Sequence, residues 1–123
     1  MSIRLSKPII VGDTGRIEVY VTDEVEDQEN STIVETEIDL TSFTVDLLMW
    51  LDTGGGYPDS GSPTKTFSIT KDPDQVANTG EGYYDYSVTD FATAGVAKFR
   101  LRFQEGGASP KHSDSEYVSV EAL

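Results

Sequence analysis

Two stretches of this chain alternate apolar and polar residues with the period of an extended strand: residues 38–51 (IDLTSFTVDLLMWL) and 80–107 (GEGYYDYSVTDFATAGVAKFRLRFQEGG). A period of two puts every second side chain on one face of a pleated sheet, so each stretch can bury one row and leave the other in water. Over 43–51 the inward row is Phe43, Val45, Leu47, Met49 and Leu51. Over 96–103 it is Ala97, Phe99, Leu101 and Phe103, with Lys98, Arg100 and Arg102 outward. Helical periodicity is weak throughout, and the one helix-like stretch, Asp90 to Ala94, is too short for more than a single turn. The pattern predicts an all-β, antiparallel fold.

The remaining strands follow the same logic. A first extended segment runs over residues 3–11 and is broken at Pro8, which confines it to a sheet edge or its entry. Gly12-Asp13-Thr14-Gly15 forms a tight turn, and residues 16–22 follow with Ile17, Val19 and Val21 inward. Residues 23–39 then carry eight acidic side chains and no Lys or Arg. This predicts a solvated acidic loop over 23–37, which Ile33, Val34 and Ile38 close with a short strand. Residues 54–63 read as a flexible loop, and 64–70 as a strand with Phe67 and Ile69 inward, ended by Asp72-Pro73-Asp74. In 82–88 one face takes Tyr84, Tyr86 and Val88; residues 105–115 are a polar loop, and 116–121 close the chain with Val118 and Val120 inward. About seven short strands in one domain over 1–123 predict an immunoglobulin-like antiparallel β-sandwich, with a small closed barrel as the alternative.

Composition narrows the partners. A chain of 123 residues fits one domain with a core of its own. No window approaches ~18 apolar residues, so no membrane partner is expected. The apolar run near the start, Ile9-Ile10-Val11, is far shorter than a secretory signal, which places synthesis in the cytoplasm. Cysteine is absent, which excludes disulfides and thiolate metal sites. The net charge of −13 argues against nucleic acid, whose phosphates need a clustered basic surface. It suits an acid-rich particle surface or a high-salt, halophilic setting, and also ordinary solubility.

Reactive chemistry is sparse. His112 is the single histidine and lies in a polar stretch, with no Cys or second His to build a zinc site or a nucleophile–base pair. Asp85 with Tyr83 and Trp50 imitates a glycosidase cleft without its specific spacing. Asp23, Glu24, Glu26 and Asp27 offer oxygen ligands for calcium but lack EF-hand spacing. Gly54-Gly55-Gly56 lacks the Lys and helix of a phosphate loop, and Asn30-Ser31-Thr32 is a chance glycosylation triplet. No catalytic, cofactor or metal site is expected. Two surface features remain. Lys98, Arg100 and Arg102 form a basic stripe, either paired across strands with residues such as Asp85 or Asp46 or facing an acidic neighbour. Leu48, Trp50 and Tyr83 are large side chains at outward positions, either covered by a loop or part of a partner interface.

The order of these pieces resembles a known pattern. Gly12-Asp13-Thr14-Gly15 and Asp39-Leu40-Thr41 each lead into a strand. Gly82-Tyr83-Tyr84-Asp85-Tyr86, Ala94-Gly95-Val96, Phe99-Arg100-Leu101-Arg102-Phe103 and Tyr117-Val118-Ser119-Val120 follow at suitable intervals. Together they resemble the immunoglobulin-like N-terminal domain of tailed-phage upper-baseplate proteins and related small virion structural proteins. The acidic segment is longer than in that pattern, Leu48 and Trp50 add bulk to an outer face, and no receptor-binding or trimerisation module follows the last strand. The resemblance implies a non-enzymatic virion building block of the tail, baseplate or neck, without a host-receptor role. Its partners are expected to be other virion structural proteins, in a symmetric homo-oligomer within the particle. Interface candidates are Leu48, Trp50 and Tyr83, then Lys98, Arg100 and Arg102. A capsid decoration protein is the near alternative. A carbohydrate-binding module, stacking sugars on Tyr57, Trp50 or Tyr83, is the rival from another class.

Overall fold

Pro8 does more than mark an edge: it is where the chain leaves one sheet for another. In the computed structural model, which describes residues 2–27, 29, 32–52 and 62–123, β1 (Ser2–Leu5) pairs antiparallel with β3 (Gly15–Tyr20), while β2 (Ile9–Ile10) pairs parallel with the last strand, β12 (Glu116–Glu121). A second crossing occurs in the segment expected to be one strand over 64–70. There β7 (Lys65–Ser68) lies on β6 (Phe43–Asp52), Ile69 breaks the run, and β8 (Thr70–Lys71) joins β9 (Glu81–Tyr86). Ile69 is buried at this bend and its N–H donates to Val45 O at 3.0 Å. Strands that change sheets in this way form the corners of layered β folds.

Among the described residues, twelve strands form three sheets. One has the order β1-β3-β9-β8. The second is a curled, mixed sheet ordered β2-β12-β10-β6-β7, with β11 (Lys111–His112) on the flank of β10 (Gly95–Glu105). The third is the pair β4 (Thr22–Asp27) and β5 (Thr32–Glu37). The β6–β10 ladder is the longest among the described residues, in register from Val96↔Asp52 to Glu105↔Phe43.

The inward rows behave as their alternation requires. Val45, Leu47 and Met49 of β6, Ala97, Phe99, Leu101 and Phe103 of β10, and Ile17 and Val19 of β3 all join one buried cluster, with Phe43 and Leu51 half-buried against it. Phe67 stacks on Tyr84 at 4.6 Å between ring centroids, tying the two larger sheets together. Val88 departs from the expected row: β9 ends at Tyr86, and Val88 is exposed in the turn beyond it. Phe91, in the stretch weighed for a helical turn, instead packs edge-on to Tyr86 at 5.2 Å. A Cβ at Gly15 would fall 2.3 Å from the buried Tyr86 hydroxyl, so that position has no room for a side chain.

The acidic segment is the largest correction. Residues 22–27 and 32–37 are not part of a solvated loop but form a six-pair antiparallel ladder, from Thr22↔Glu37 to Asp27↔Thr32. Every residue of β5 is exposed. The base of this arm is fixed by a buried polar clasp. Gln75 Oε1 accepts from Leu40 N at 2.9 Å and Gly80 N at 3.0 Å; its Nε2 donates to Asp72 O and Glu81 O. Gly80 (φ +81°) in turn receives Val21 N–H on its carbonyl at 2.8 Å, and a Cβ there would meet Val21 O at 2.5 Å. Only glycine combines that left-handed backbone with so close an approach.

Candidate functional site

Three surfaces hold the outward residues singled out from the sequence, and the register decides which of them meet. On the outer face of the six-stranded sheet, Trp50 lies opposite Lys98, and Lys98 opposite Tyr117. These three strands thus build an aromatic–cation–aromatic row. The Lys98 ammonium sits 4.5 Å from the Trp50 ring centroid, and Tyr117 is half exposed, at 51%. Tyr117 was legible as an outward residue of the last strand, since Val118 and Val120 alternate with it. Its place beside Lys98 needed the β10–β12 register.

The next row is Leu48 opposite Arg100. Leu48 stands at an outward position yet is buried, at 4% exposure, so it offers no surface to a partner. Arg100 is exposed, and its Nε donates to Ser113 O at 2.7 Å. Ser113 is buried and its Oγ accepts from Leu101 N at 2.9 Å, which clamps the 111–114 segment to β10. In the third row Arg102 donates to Asp46 at 2.8 Å, and His112 of β11 lies opposite Arg102. Partial burial, then the nearby Arg100 and Arg102 cations, hold the His112 imidazole below its ordinary pKa.

Of the basic stripe, then, Arg102 is paired across strands with Asp46 as one expectation held, whereas Asp85 is not available to it. Asp85 belongs to β9 in the other sheet, where Arg16 grips it with Nε at 2.7 Å and Nη2 at 3.1 Å. That bidentate bond holds the Asp85 carboxyl below the usual range and raises Arg16. Tyr83 also lies on this second face, with the Arg16 guanidinium 4.0 Å above its ring. It is therefore not part of a patch with Leu48 and Trp50. A shallow groove of about 560 Å³ passes over it, lined by Arg4, Arg16, Glu18, Tyr20 and Glu81.

The β4–β5 arm is the third surface. Ile33 is 69% exposed and Val34 nearly half, while Tyr20 donates its hydroxyl to Glu37 and Lys111 pairs with Asp23 at 2.8 Å at the base. The Glu37 carboxylate pushes the Tyr20 phenol up to about 12, because it favours the proton that bridges them. A groove of about 470 Å³ separates the arm from β11, lined by Asp23, Glu35, Lys111, His112 and Asp114. The side chains of Glu24, Glu26 and Asp27, weighed for calcium, lie outside the described residues, as do Tyr57, Gly54–Gly56 and Asn30-Ser31.

The disposition of positive charge distinguishes these surfaces. Among the described residues, Arg4, Lys7, Arg16, Arg102 and Lys111 form ion pairs. Lys65 and Lys71 spend their ammonium groups on backbone carbonyls, Asp90 O at 2.8 Å and Phe43 O at 2.7 Å respectively. Among the described residues Lys98 and Arg100 likewise have no carboxylate partner; Lys98 sits over Trp50, Arg100 donates to Ser113 O, and both stand on the outer face of the six-stranded sheet. No protein-family model, curated protein or solved structure matches this chain.

Proposed function

We propose that this chain is a non-enzymatic structural component of a tailed virus particle, placed at the tail, baseplate or neck, where it docks on neighbouring virion subunits in a symmetric assembly. The finer fold reading that goes with it is an immunoglobulin-like sandwich. Its support is strand order: β1-β3-β9-β8 runs as A-B-E-D, and β12-β10-β6-β7 as G-F-C-C′, with β2 as the split second half of strand A. The turns that carry the resemblance stand where such a sandwich needs them. Gly12-Asp13-Thr14 precedes β3, and the 3₁₀ turn Leu40–Ser42, capped by Asp39, precedes β6.

The observation that carries the functional reading is the β4–β5 arm. A two-stranded ladder with one strand, β5, exposed along its length is marginal by itself, and two large apolar residues on that strand face water. An element of that kind gains its order when it seats on a neighbour. A capsid decoration protein would use it in the same way, and antibody labelling of purified particles separates the two by location, on the tail or on the shell. Labelling of neither overturns the reading. The genes flanking this one give a second check: tail or portal genes support it, and a polysaccharide-degradation cluster counts against it.

The carbohydrate-binding rival needs flat, open aromatic platforms. Trp50 and Tyr83 instead each carry a cation on the ring, Lys98 and Arg16 respectively. Titration with glycans, followed by tryptophan fluorescence, is expected to show no saturable quenching. Quenching abolished by Trp50→Ala reverses that conclusion.

A further inference from the structure

The assembly reading leaves open what the arm seats on, and the chain itself carries a matching surface. We propose that the acidic β4–β5 arm of one copy lies across the Trp50–Lys98–Tyr117 row, beside Arg100, of a second copy. This rests on the assembly reading above and deepens it by naming the two halves of the contact.

The match has two independent parts. The first is charge. Residues 22–37 hold seven carboxylates and no Lys or Arg. The chain has nine Lys and Arg; among the described residues five pair with carboxylates of their own molecule, and Lys65, Lys71 and Arg100 donate to backbone carbonyls. Four cations thus lack a carboxylate partner among the described residues, and two of them, Lys98 and Arg100, stand in adjacent rows of one sheet face. The second part is apolar surface. Ile33 and Val34 are exposed on the arm, and Tyr117 is half exposed beside the half-buried Trp50 on the face. Aromatic rings and arginine are enriched in interfaces, and opposite potentials align the partners.

A second copy fits better than an unrelated basic partner for one reason: a foreign basic surface would satisfy the arm and leave the face unmatched. A chain with a net charge of −13 also repels its own kind, except where cations such as Lys98 and Arg100 are presented. Each copy offers one arm and one face, so the contact closes either reciprocally in a pair or around a ring.

The test uses the full chain and two charge reversals, Lys98→Glu/Arg100→Glu at a half-buried and an exposed position of the face and Glu29→Lys/Glu35→Lys at exposed positions of the arm. Sedimentation equilibrium at fixed physiological salt should show that the parent chain self-associates. Each reversal should weaken that association by roughly tenfold or more, as expected for loss of close opposite charges. An equimolar mixture of the two reversed chains should recover it, since each then carries the half the other lacks. Circular dichroism of the separate variants confirms that their folds are unchanged. A parent chain that stays monomeric up to about 1 mM, the weak limit of specific binding, overturns the contact; so does a mixture that fails to recover. Particle labelling stands apart from this outcome: a monomeric chain that still labels particles removes the arm-to-face contact alone, and unlabelled particles remove the assembly reading alone.

Discussion

The β6–β10 ladder and the β4–β5 arm are built from the same bond. Both are antiparallel, both hold continuous register, and both alternate side chains across the sheet. They differ in what stands behind them. The inner row of β6 and β10 closes on β3, β9 and Phe91, and the residues at its centre have no exposed surface. The arm has a single layer, with all of β5 in water. Hydrogen-bonded pairing therefore gives both elements their shape, and burial gives only one of them its stability.

The sharpest way to break this contrast is to hollow the ladder. Phe99→Ala is expected to cost about 3–5 kcal/mol, since it empties a fully buried site. Urea unfolding should report the loss as a lower midpoint at an unchanged slope. If the cost is as small as for a surface residue, the two regions do not differ as described.

Gln75 comes next, because it joins the two regions. Gln75→Ala leaves Leu40 N and Gly80 N without their buried acceptor, at about 3 kcal/mol. Gln75→Glu is expected to be no better, since an oxygen would replace the nitrogen that faces Asp72 O and Glu81 O. Amide exchange at Val21, which donates to Gly80 O, should quicken in both variants.

A smaller effect probes the base of the arm through pH. The Tyr20 phenol is raised from 10.0 to about 12 by its bond to Glu37. A raised folded pKa means that the unfolded chain loses its proton first. The contribution is thus fully present below pH 10 and is lost as pH rises toward 12. Phenolate absorbance should show Tyr20 and Tyr84 titrating late, Tyr84 because burial and then Asp90 raise it to about 12. Tyr20→Phe should remove one late step and leave the other.

The smallest change is expected on the arm itself. Val34→Thr should alter global stability by less than about 0.5 kcal/mol, as for other exposed substitutions. In the isolated chain the arm amides should exchange far faster than those of β6 and β10, which require global opening. Protection of the arm equal to that of the core would erase the comparison.

The pattern of failures in the sequence reading has one cause. Alternation at 43–51 and 96–103 placed Val45, Leu47, Phe99 and Phe103 inward, since a period of two is local and needs no partner. Residues 22–37 carry no such alternation: Val25 stands alone, Ile33 and Val34 are adjacent, and seven carboxylates outnumber these three branched residues, so the local pattern reads as solvated charge. Gln75 carried no signal, because a polar residue after an Asp-Pro-Asp turn looks solvated. Only four converging backbone groups make it a buried clasp.

By itself, then, the sequence determined the class of element and the two rows of each core strand, including the outward Lys98, Arg100 and Arg102. The tertiary structure decided everything that depends on which strand lies next to which. It sent residues 2–10 and 65–71 across two sheets, buried Leu48 at an outward position, and gave Asp85 to Arg16 instead of the basic stripe. It also set Tyr117 beside Lys98 and separated both from Tyr83. Side-chain direction along a strand is fixed by the neighbouring peptide units, whereas register and sheet membership are fixed by contacts remote in the chain.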